Sequence, residues 1–462
     1  MDAQQILALK PMLAEYLRRF ASCFGRSEPA RHMQTYISGQ VSDLRRKSIE
    51  PIADAAGLPA RTLQQFLSRH AWDDERMIDI LQEIVAAEHW HACSVGVIDE
   101  TGHPKKGDKT PGVQRQWCGN TGKIDNCIVT VHLGYAAGDF HCLLDGELFL
   151  PQGWSQDRVR CRAAGIPDER VHQPKWQIAL ELYARAIGNG VRFEWLTFDE
   201  AYGQVPQLLF TLDDRGQRYV AEVPPDFTGW LIRPAVLQKG RYCGTGRPKN
   251  VPRLKVKNTP AVSVKNLCRH SHPIRDQAWQ TFHIKDGTKG PIVWHVKAAP
   301  FYLKRNGLPT RPHWLIYACN ATDPTEVKYF VSNAPKGTPL EIILHVAFSR
   351  WHVERCFQDE KSYLGMSDFE VRNDLSLRRH LTLTAVSHLF LAKVHQQWRG
   401  EKSTPDGLSG PDRRVCPGPV LVDDRPRTET ASASVCGDYH RDPASYCQSA
   451  ALASPPPTTA IA

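Results

Sequence analysis

Two short apolar segments with an amphipathic segment between them constrain the fold of this chain more than any other feature. SVGVID at 94–99 and FEWLTFD at 193–199 each have the length and composition of a buried strand. The segment between them, PKWQIALELYARAIGNG at 174–190, has apolar residues at helical spacing and ends in two glycines. This order predicts two strands of one α/β sheet joined by a helical crossover.

The first 90 residues show helical periodicity and no strand pattern. Two short helices are predicted around Gly57 and Pro59, which is the pattern of a helix-turn-helix with Arg61 and Gln64 on the helix that would face DNA. An ordinary helical hairpin with a solvated face has the same pattern. We therefore predict an N-terminal helical domain and interpret it as a DNA-binding domain.

Further along the chain, composition predicts an insertion and a tail. Residues 227–275 contain eleven Lys or Arg and no Asp or Glu, and strand-like segments follow them. The C-terminal residues are rich in Pro, Ser and Thr without apolar periodicity, which is typical of disorder. The predicted organisation is a helical DNA-binding domain at 1–90, the first part of an α/β core at 91–226, a β-rich basic insertion at 227–335, the helical part of that core at 336–398 and a disordered tail at 399–462.

Charge and cysteine content say little about the partner or the cellular location of this protein. The chain of 462 residues has 58 Lys and Arg against 49 Asp and Glu, a net charge of +9 that suits an anionic partner and also many other enzymes. The thirteen cysteines include no C-x-x-C pair of the kind that binds zinc. With neither a signal peptide nor a membrane-length apolar run in the sequence, we expect a cytoplasmic protein, associated with the nucleoid of a bacterium.

Three acids carry the strongest chemical signal. Asp99 and Asp199 each end an apolar strand, and Glu354 lies within the predicted helix FSRWHVERCFQDEK. A single acid at such a place is more often a loop cap or half of a buried salt bridge. Three together favour a metal site, because carboxylates are the natural ligands of Mg²⁺ and two such cations catalyse phosphodiester chemistry. We predict two Mg²⁺ ions, or Mn²⁺ in their place, bound by these three acids.

Basic residues near these acids predict phosphate contacts. Arg350, Glu354 and Lys361 have spacings of four and seven residues, which places them on one face of a helix. A surface salt-bridge ladder with Asp359 and Glu360 is the alternative interpretation. Lys105, Lys106 and the basic insertion are predicted to hold DNA phosphates without reading bases, and a solvated charged loop is the alternative.

Four blocks of the sequence resemble a known family. The chain looks like the DDE transposases of bacterial insertion sequences, in the Y-R-E-K branch with a β-rich insertion, and it is most similar to insertion sequence family seven-zero-one. Arg350, Glu354 and Lys361 supply the R-E-K part of the signature, while Ala347 stands at the tyrosine position. The matching blocks are VIDETGHPKKG at 97–107, QWCGNTGKIDNC at 116–127, LTFDEAYG at 196–203 and RWHVERCFQDEKSYLG at 350–365.

The resemblance implies an RNase H-like catalytic fold in which Asp99, Asp199 and Glu354 are the first, second and third acids. It also implies that Tyr202, which matches the aromatic residue after the second acid, contacts DNA. The implied activity is metal-dependent cleavage of double-stranded DNA at transposon terminal inverted repeats, then strand transfer into target DNA by a dimer on paired ends. Two alternatives stay open at this point: a nuclease of the same fold that never transposes, and a decayed DNA-binding protein without activity.

Overall fold

The computed structural model describes residues 3–238, 251–287, 290–402 and 420–421. The chain divides into two compact units. Unit 1 consists of Met1–Tyr219 and Ser349–Cys416, and unit 2 of Val220–Phe348 and Pro417–Ala462. Unit 1 is therefore discontinuous in sequence, with unit 2 inserted between its two parts.

Helices and strands are numbered along the whole chain. The helices are α1 (Ala3–Arg18), α2 (Ser27–Gln40), α3 (Ile49–Ala55), α4 (Ala60–Ser68), α5 (Asp74–Glu88), α6 (Gln152–Gln156), α7 (Arg158–Ala163), α8 (Lys175–Gly188), α9 (Glu200–Gly203), α10 (Pro206–Asp214), α11 (Val264–His270), α12 (His272–Arg275), α13 (Leu340–Phe348), α14 (Trp351–Tyr363) and α15 (Asp374–Lys402). The strands are β1 (Val95–Pro104), β2 (Gln114–Cys118), β3 (Lys123–Ala137), β4 (Phe140–Leu148), β5 (Trp195–Phe198), β6 (Tyr219–Val223), β7 (Thr228–Trp230), β8 (Val236–Leu237), β9 (Arg253–Leu254), β10 (Val262–Ser263), β11 (Gln280–Gly287), β12 (Gly290–Arg305), β13 (Leu308–Pro309), β14 (His313–Asn320), β15 (Val327–Ser332) and β16 (Val420–Leu421).

The sheet of unit 1 is built around β1. This strand pairs antiparallel with β3 on one side and parallel with β5 on the other. Both β2 and β4 pair antiparallel with β3, each along a different part of it. Helix α8 lies between β1 and β5 in sequence and packs against β3 and β4. The predicted mixed α/β fold, with two parallel strands joined through a helix, is confirmed.

Strand β5 shows why the sequence forms this sheet. All four of its residues are buried, as expected for a strand that is covered on both faces and therefore reads as a continuous apolar run. Gly96 on β1 is required for close packing, because a Cβ atom there would lie 2.4 Å from the Leu196 side chain and 2.7 Å from Phe193. The neighbouring strands thus hold β1 in a fixed position.

The N-terminal helices pack within unit 1, where α2, α4 and α5 contact the long helix α15. Buried polar groups fix this packing: the Gln40 amide donates to Thr384 Oγ1 at 2.8 Å and accepts from Ser387 Oγ at 2.8 Å. The turn between α3 and α4 places Gly57 at φ +65°, a backbone conformation that favours glycine. Arg61 and Gln64 are exposed on α4.

Unit 2 is rich in β-structure. From β6 the strand pairing runs through β15, β14, β12 and β7 to β10. Strand β7 pairs near the end of β12, and β11 pairs with the first part of β12. Phe282, Phe301, Ile316 and Val331 are fully buried in it. Part of the predicted basic run, residues 239–250, lies outside the described residues.

The predicted tail lies almost wholly outside the described residues. Helix α15 continues to Lys402, past the predicted end of the helical segment at residue 398. Beyond it only Val420–Leu421 is described, as a two-residue strand paired with β11. In the described ranges of the chain, no helix has both the length and the apolar character needed to cross a membrane.

Candidate active site

Asp99 and Asp199 lie side by side at one edge of the unit 1 sheet. Ile98 on β1 and Phe198 on β5 are register partners in parallel strands, so the next residue of each strand is an acid. Neighbouring strands are about 4.8 Å apart. Asp99 continues in β1, whereas Asp199 leaves β5 and caps α9 by accepting hydrogen bonds from the amides of Ala201 at 3.0 Å and Tyr202 at 3.4 Å.

Burial and like charge together disfavour ionisation of these two acids. The pKa of Asp99, which is only 8 % exposed, is raised to about 7, mainly by burial, and the carboxylates of Asp199 and Glu354 raise it further. The pKa of Asp199 is also raised, chiefly by burial and then by Glu100. The Arg350 guanidinium acts in the opposite direction on both groups. Negative charge is thus concentrated here beyond what one arginine compensates.

Arg350 brings the third acid to the same place. Its Nη1 lies 3.1 Å from Asp99 Oδ2, and its Nη2 lies 3.3 Å from Glu354 Oε1. One guanidinium therefore links β1 to helix α14, with Arg350 as the residue immediately before that helix. The Glu354 side chain is 59 % exposed, so it faces the solvent side of this cluster.

Oxygen donors of this kind suit a hard divalent cation. In the described part of the chain, however, no group of three or more His, Cys, Asp or Glu residues has the arrangement needed to hold a metal ion. The guanidinium of Arg350 contacts both Asp99 and Glu354. The donor chemistry fits a metal, while the positions of the side chains are those of an arginine-bridged cluster.

Lys361 contacts the same strand farther along. Its Nζ donates to Thr101 Oγ1 at 2.6 Å and to the Gly102 carbonyl at 3.2 Å, and burial lowers its pKa. The face of α14 predicted from residue spacing therefore lies along β1. The acids of the alternative salt-bridge ladder bind elsewhere: Asp359 pairs with Arg355 at 3.0 Å, and buried Glu360 pairs with His388 at 3.0 Å.

The remaining predicted DNA contacts differ in exposure. Lys105 Nζ donates to the carbonyls of Ser367 and Phe369 at 2.9 and 2.7 Å and lies 3.4 Å from the centre of the Phe369 ring; burial lowers its pKa to about 8. Tyr202 is buried, and its hydroxyl donates to Glu100 Oε2 at 3.4 Å. Lys106 is exposed. Lys105 and Tyr202 are thus engaged inside the protein, and Lys106 faces solvent.

Sequence reasoning missed Glu100, which directly follows the first acid. It forms an ion pair with Lys175 and accepts from Tyr202, at the wall of a cavity of about 260 Å³. The available signal was that a glutamate follows each of the two aspartates, as Asp99-Glu100 and Asp199-Glu200. The cavity is lined by Glu100, Phe149, His172, Pro174, Lys175, Trp176, Ala201 and Tyr202.

Known proteins resemble this chain over most of its length. A family model described as DDE superfamily endonuclease matches residues 19–291, which include Asp99 and Asp199, and the chain belongs to that family. A curated relative is the "Probable transposase for insertion sequence element IS701" of Microchaete diplosiphon, 26% identical over 361 residues, which cover 77% of this chain and 81% of the relative. The predicted enzyme class and the predicted resemblance are confirmed. Members of this superfamily use divalent metal ions and act on DNA.

Proposed function

We propose that this protein is a transposase that nicks DNA at the ends of a mobile element and joins the freed 3′ ends to target DNA. The single observation that carries the proposal is that Arg350 joins Asp99 to Glu354 while Asp199 follows the register partner of Ile98, in a chain of the DDE endonuclease family. The relative's name supports transposition in particular. Terminal inverted repeats and target DNA are the proposed partners, with a dimer holding two paired ends.

The three acids are proposed to hold two Mg²⁺ ions, or Mn²⁺ in their place. Such a pair of cations polarises the scissile phosphate, activates the attacking water or 3′-hydroxyl and stabilises the leaving oxygen. Asp99, Asp199 and Glu354 would hold these cations between them. The Arg350 guanidinium, which contacts Asp99 and Glu354, would be available to bind a phosphate of the substrate as a planar fork.

The test replaces Glu354 by Gln, which keeps the length of the side chain and removes its charge. We expect Mg²⁺-dependent nicking of a duplex carrying the element's terminal repeat to fall at least about a hundredfold, because a metal ligand is lost. Binding to the same duplex should persist. The matched control is Asp359→Asn on the same helix, whose carboxylate pairs with Arg355, and it should nick as the natural protein does.

The outcomes separate the proposal from its rivals. Nicking at the natural rate by the Glu354→Gln protein removes Glu354 from the site. Nicking without joined products, on a substrate with paired ends and a target, identifies a nuclease that does not transpose. Absence of any metal-dependent cleavage by the natural protein would identify a DNA-binding protein without catalysis.

The basic insertion is proposed to supply sequence-tolerant affinity for DNA. Lys255, Lys257 and Lys265 are exposed in unit 2. If all three bind phosphates, replacing them by Gln should lower the slope of log affinity against log salt by about 2 to 3, since each neutralised phosphate contributes about 0.9. The measurement is a salt titration of binding to a duplex of mixed sequence, and an unchanged slope would show that these lysines do not contact the backbone.

A further inference from the structure

A β-hairpin at the edge of unit 1 has no role in the site described above. It is formed by β2 and the first residues of β3, with Cys118 paired to Lys123 and residues 119–122 as the loop. Gly122 closes the loop at φ +63°, and its amide donates to the Cys118 carbonyl at 2.9 Å. Cys118 at the loop end of the hairpin and Cys127 at its base are fully buried in one apolar cluster. The hairpin is therefore a firmly anchored ribbon.

This ribbon exposes a large apolar pair. Trp117 and Ile124 are direct cross-strand partners, so their side chains lie on the same face of the hairpin. Trp117 is 62% exposed and Ile124 is 60% exposed. A cross-strand pair of an aromatic and a β-branched residue stabilises a hairpin modestly, but most of each side chain here still faces water. An exposed aromatic and aliphatic pair of this kind indicates a contact surface.

The charges around the pair indicate what the surface contacts. Arg115 precedes Trp117 by two residues and lies on the same face, and Lys106 is exposed in the neighbouring loop, whereas Lys123, the partner of Cys118, is exposed on the opposite face. Asn126 ties the loop that contains Lys106 to the hairpin, since its Nδ2 donates to the carbonyls of Lys105 at 2.7 Å and Gly107 at 2.8 Å. Within the described ranges, the Arg115, Lys123 and Lys106 side chains have neither a hydrogen bond nor an ion pair. A partner that matches both the exposed apolar pair and the basic side chains around it is a polyanion with apolar surfaces between its charges.

We propose that this hairpin binds the minor groove of duplex DNA, with Trp117 and Ile124 against the sugars and base edges and with Arg115 and Lys106 on the flanking phosphates. This inference rests on the proposed function, in which duplex DNA is the substrate. Apolar side chains in a minor groove, flanked by basic ones on the backbone, are an established way of gripping DNA without a sequence code.

The strand register gives the distance between this hairpin and the candidate active site. His132 is the β3 partner of Asp99, and Ile124 lies eight residues before it on the same strand. Eight residues of strand span about 26 Å, the length of roughly eight base pairs of B-DNA. The hairpin therefore contacts the duplex well away from the scissile phosphate, where it contributes affinity and orientation and no chemistry.

The experiment uses the full chain without added metal and a duplex of about 40 base pairs of mixed sequence, with binding followed by fluorescence anisotropy across a salt series. Trp117→Ala should weaken binding about tenfold and leave the salt slope unchanged, because an apolar contact is lost. Trp117→Phe should retain most of the affinity. Arg115→Gln should lower the salt slope by about one. The matched control is Trp90→Ala, which removes another exposed tryptophan (56%) and should bind as the natural protein does.

Two further measurements separate this inference from the proposed function. If the natural protein nicks DNA and Trp117→Ala binds and nicks equally well with an unchanged thermal midpoint, the hairpin inference is overturned and the proposed function stands. If Trp117→Ala alters sedimentation without altering DNA affinity, the hairpin face contacts a second copy of the chain and the inference is again overturned. A natural protein that neither binds nor nicks DNA would overturn both.

Discussion

Replacing Asp99 by Asn should stabilise the fold while it abolishes cleavage. The Asp99 carboxyl is buried beside two other acids, and its pKa is raised from 3.8 to about 7. An unfolded chain loses this proton near pH 4, whereas the folded protein retains it until about pH 7. The fold therefore loses stability as pH rises from 4 to 7 and has a constant penalty above pH 7. Asparagine has the same shape and does not titrate.

The size of the effect follows from the pKa difference. About three pH units at 1.36 kcal/mol each give a ceiling of about 4 kcal/mol at pH 8. Arg350 loses one of its two carboxylate partners in the variant, which offsets part of the gain. We therefore expect Asp99→Asn to raise the free energy of unfolding by about 1 to 3 kcal/mol at pH 8 and by clearly less at pH 5.

The assay is urea unfolding of both proteins at pH 5 and pH 8 in the presence of a chelator. Adding Mg²⁺ should then stabilise the natural protein and leave the variant nearly unchanged, since a cation that binds only the folded state adds stability. A variant less stable than the natural protein at pH 8 would refute the reasoning. It would mean that the Arg350 pair holds the fold together and that Asp99 is not an uncompensated charge.

Three further outcomes are expected. His132 is buried and its pKa is lowered to about 3. Its contribution to the free energy of unfolding is therefore complete above pH 6.5 and is lost as pH falls. In the His132→Gln protein, the decrease in the free energy of unfolding from pH 8 to pH 5, measured by urea titration, should be smaller by about 2 kcal/mol. Lys105→Met should lower the free energy of unfolding by about 1 to 3 kcal/mol, and with it the thermal midpoint, because two carbonyls lose their hydrogen-bond donor. Lys106→Ala should leave the midpoint unchanged and weaken binding to duplex DNA, measured by anisotropy.

The pairing of the two aspartates could be predicted from sequence, and the arginine bridge could not. The apolar runs before the two acids identify strands, although β1 continues past Asp99 to Pro104 and only β5 ends at its acid. A helix between two strands favours parallel pairing, which brings Asp99 and Asp199 together. Spacing on α14 likewise identified the face that carries Glu354 and Lys361. The carboxylates that Arg350 binds depend on the rotamers of side chains that are far apart in sequence. No local sequence pattern predicts these contacts.

Lys105 and the N-terminal helices show a second limit. A lysine beside glycine and proline in a polar segment reads as a solvated charge, yet Lys105 binds two backbone carbonyls more than 260 residues away in sequence. Helical periodicity predicted that the first 90 residues form helices but not what α2 and α4 pack against. Their packing on α15 depends on Gln40 meeting Thr384 and Ser387, a contact that becomes visible only in three dimensions.

The split of unit 1 has a consequence for synthesis on the ribosome. The first 219 residues of the chain leave the exit tunnel long before Asp374–Lys402, the helix on which α2, α4 and α5 pack. Until then the Gln40 amide and the apolar faces around it have no native partner, so a chaperone or nonspecific collapse must protect them. A prematurely terminated copy that still contains the family-matching residues 19–291 would lack both α15 and Glu354. Such fragments should be degraded, which prevents them from occupying DNA ends as inactive competitors.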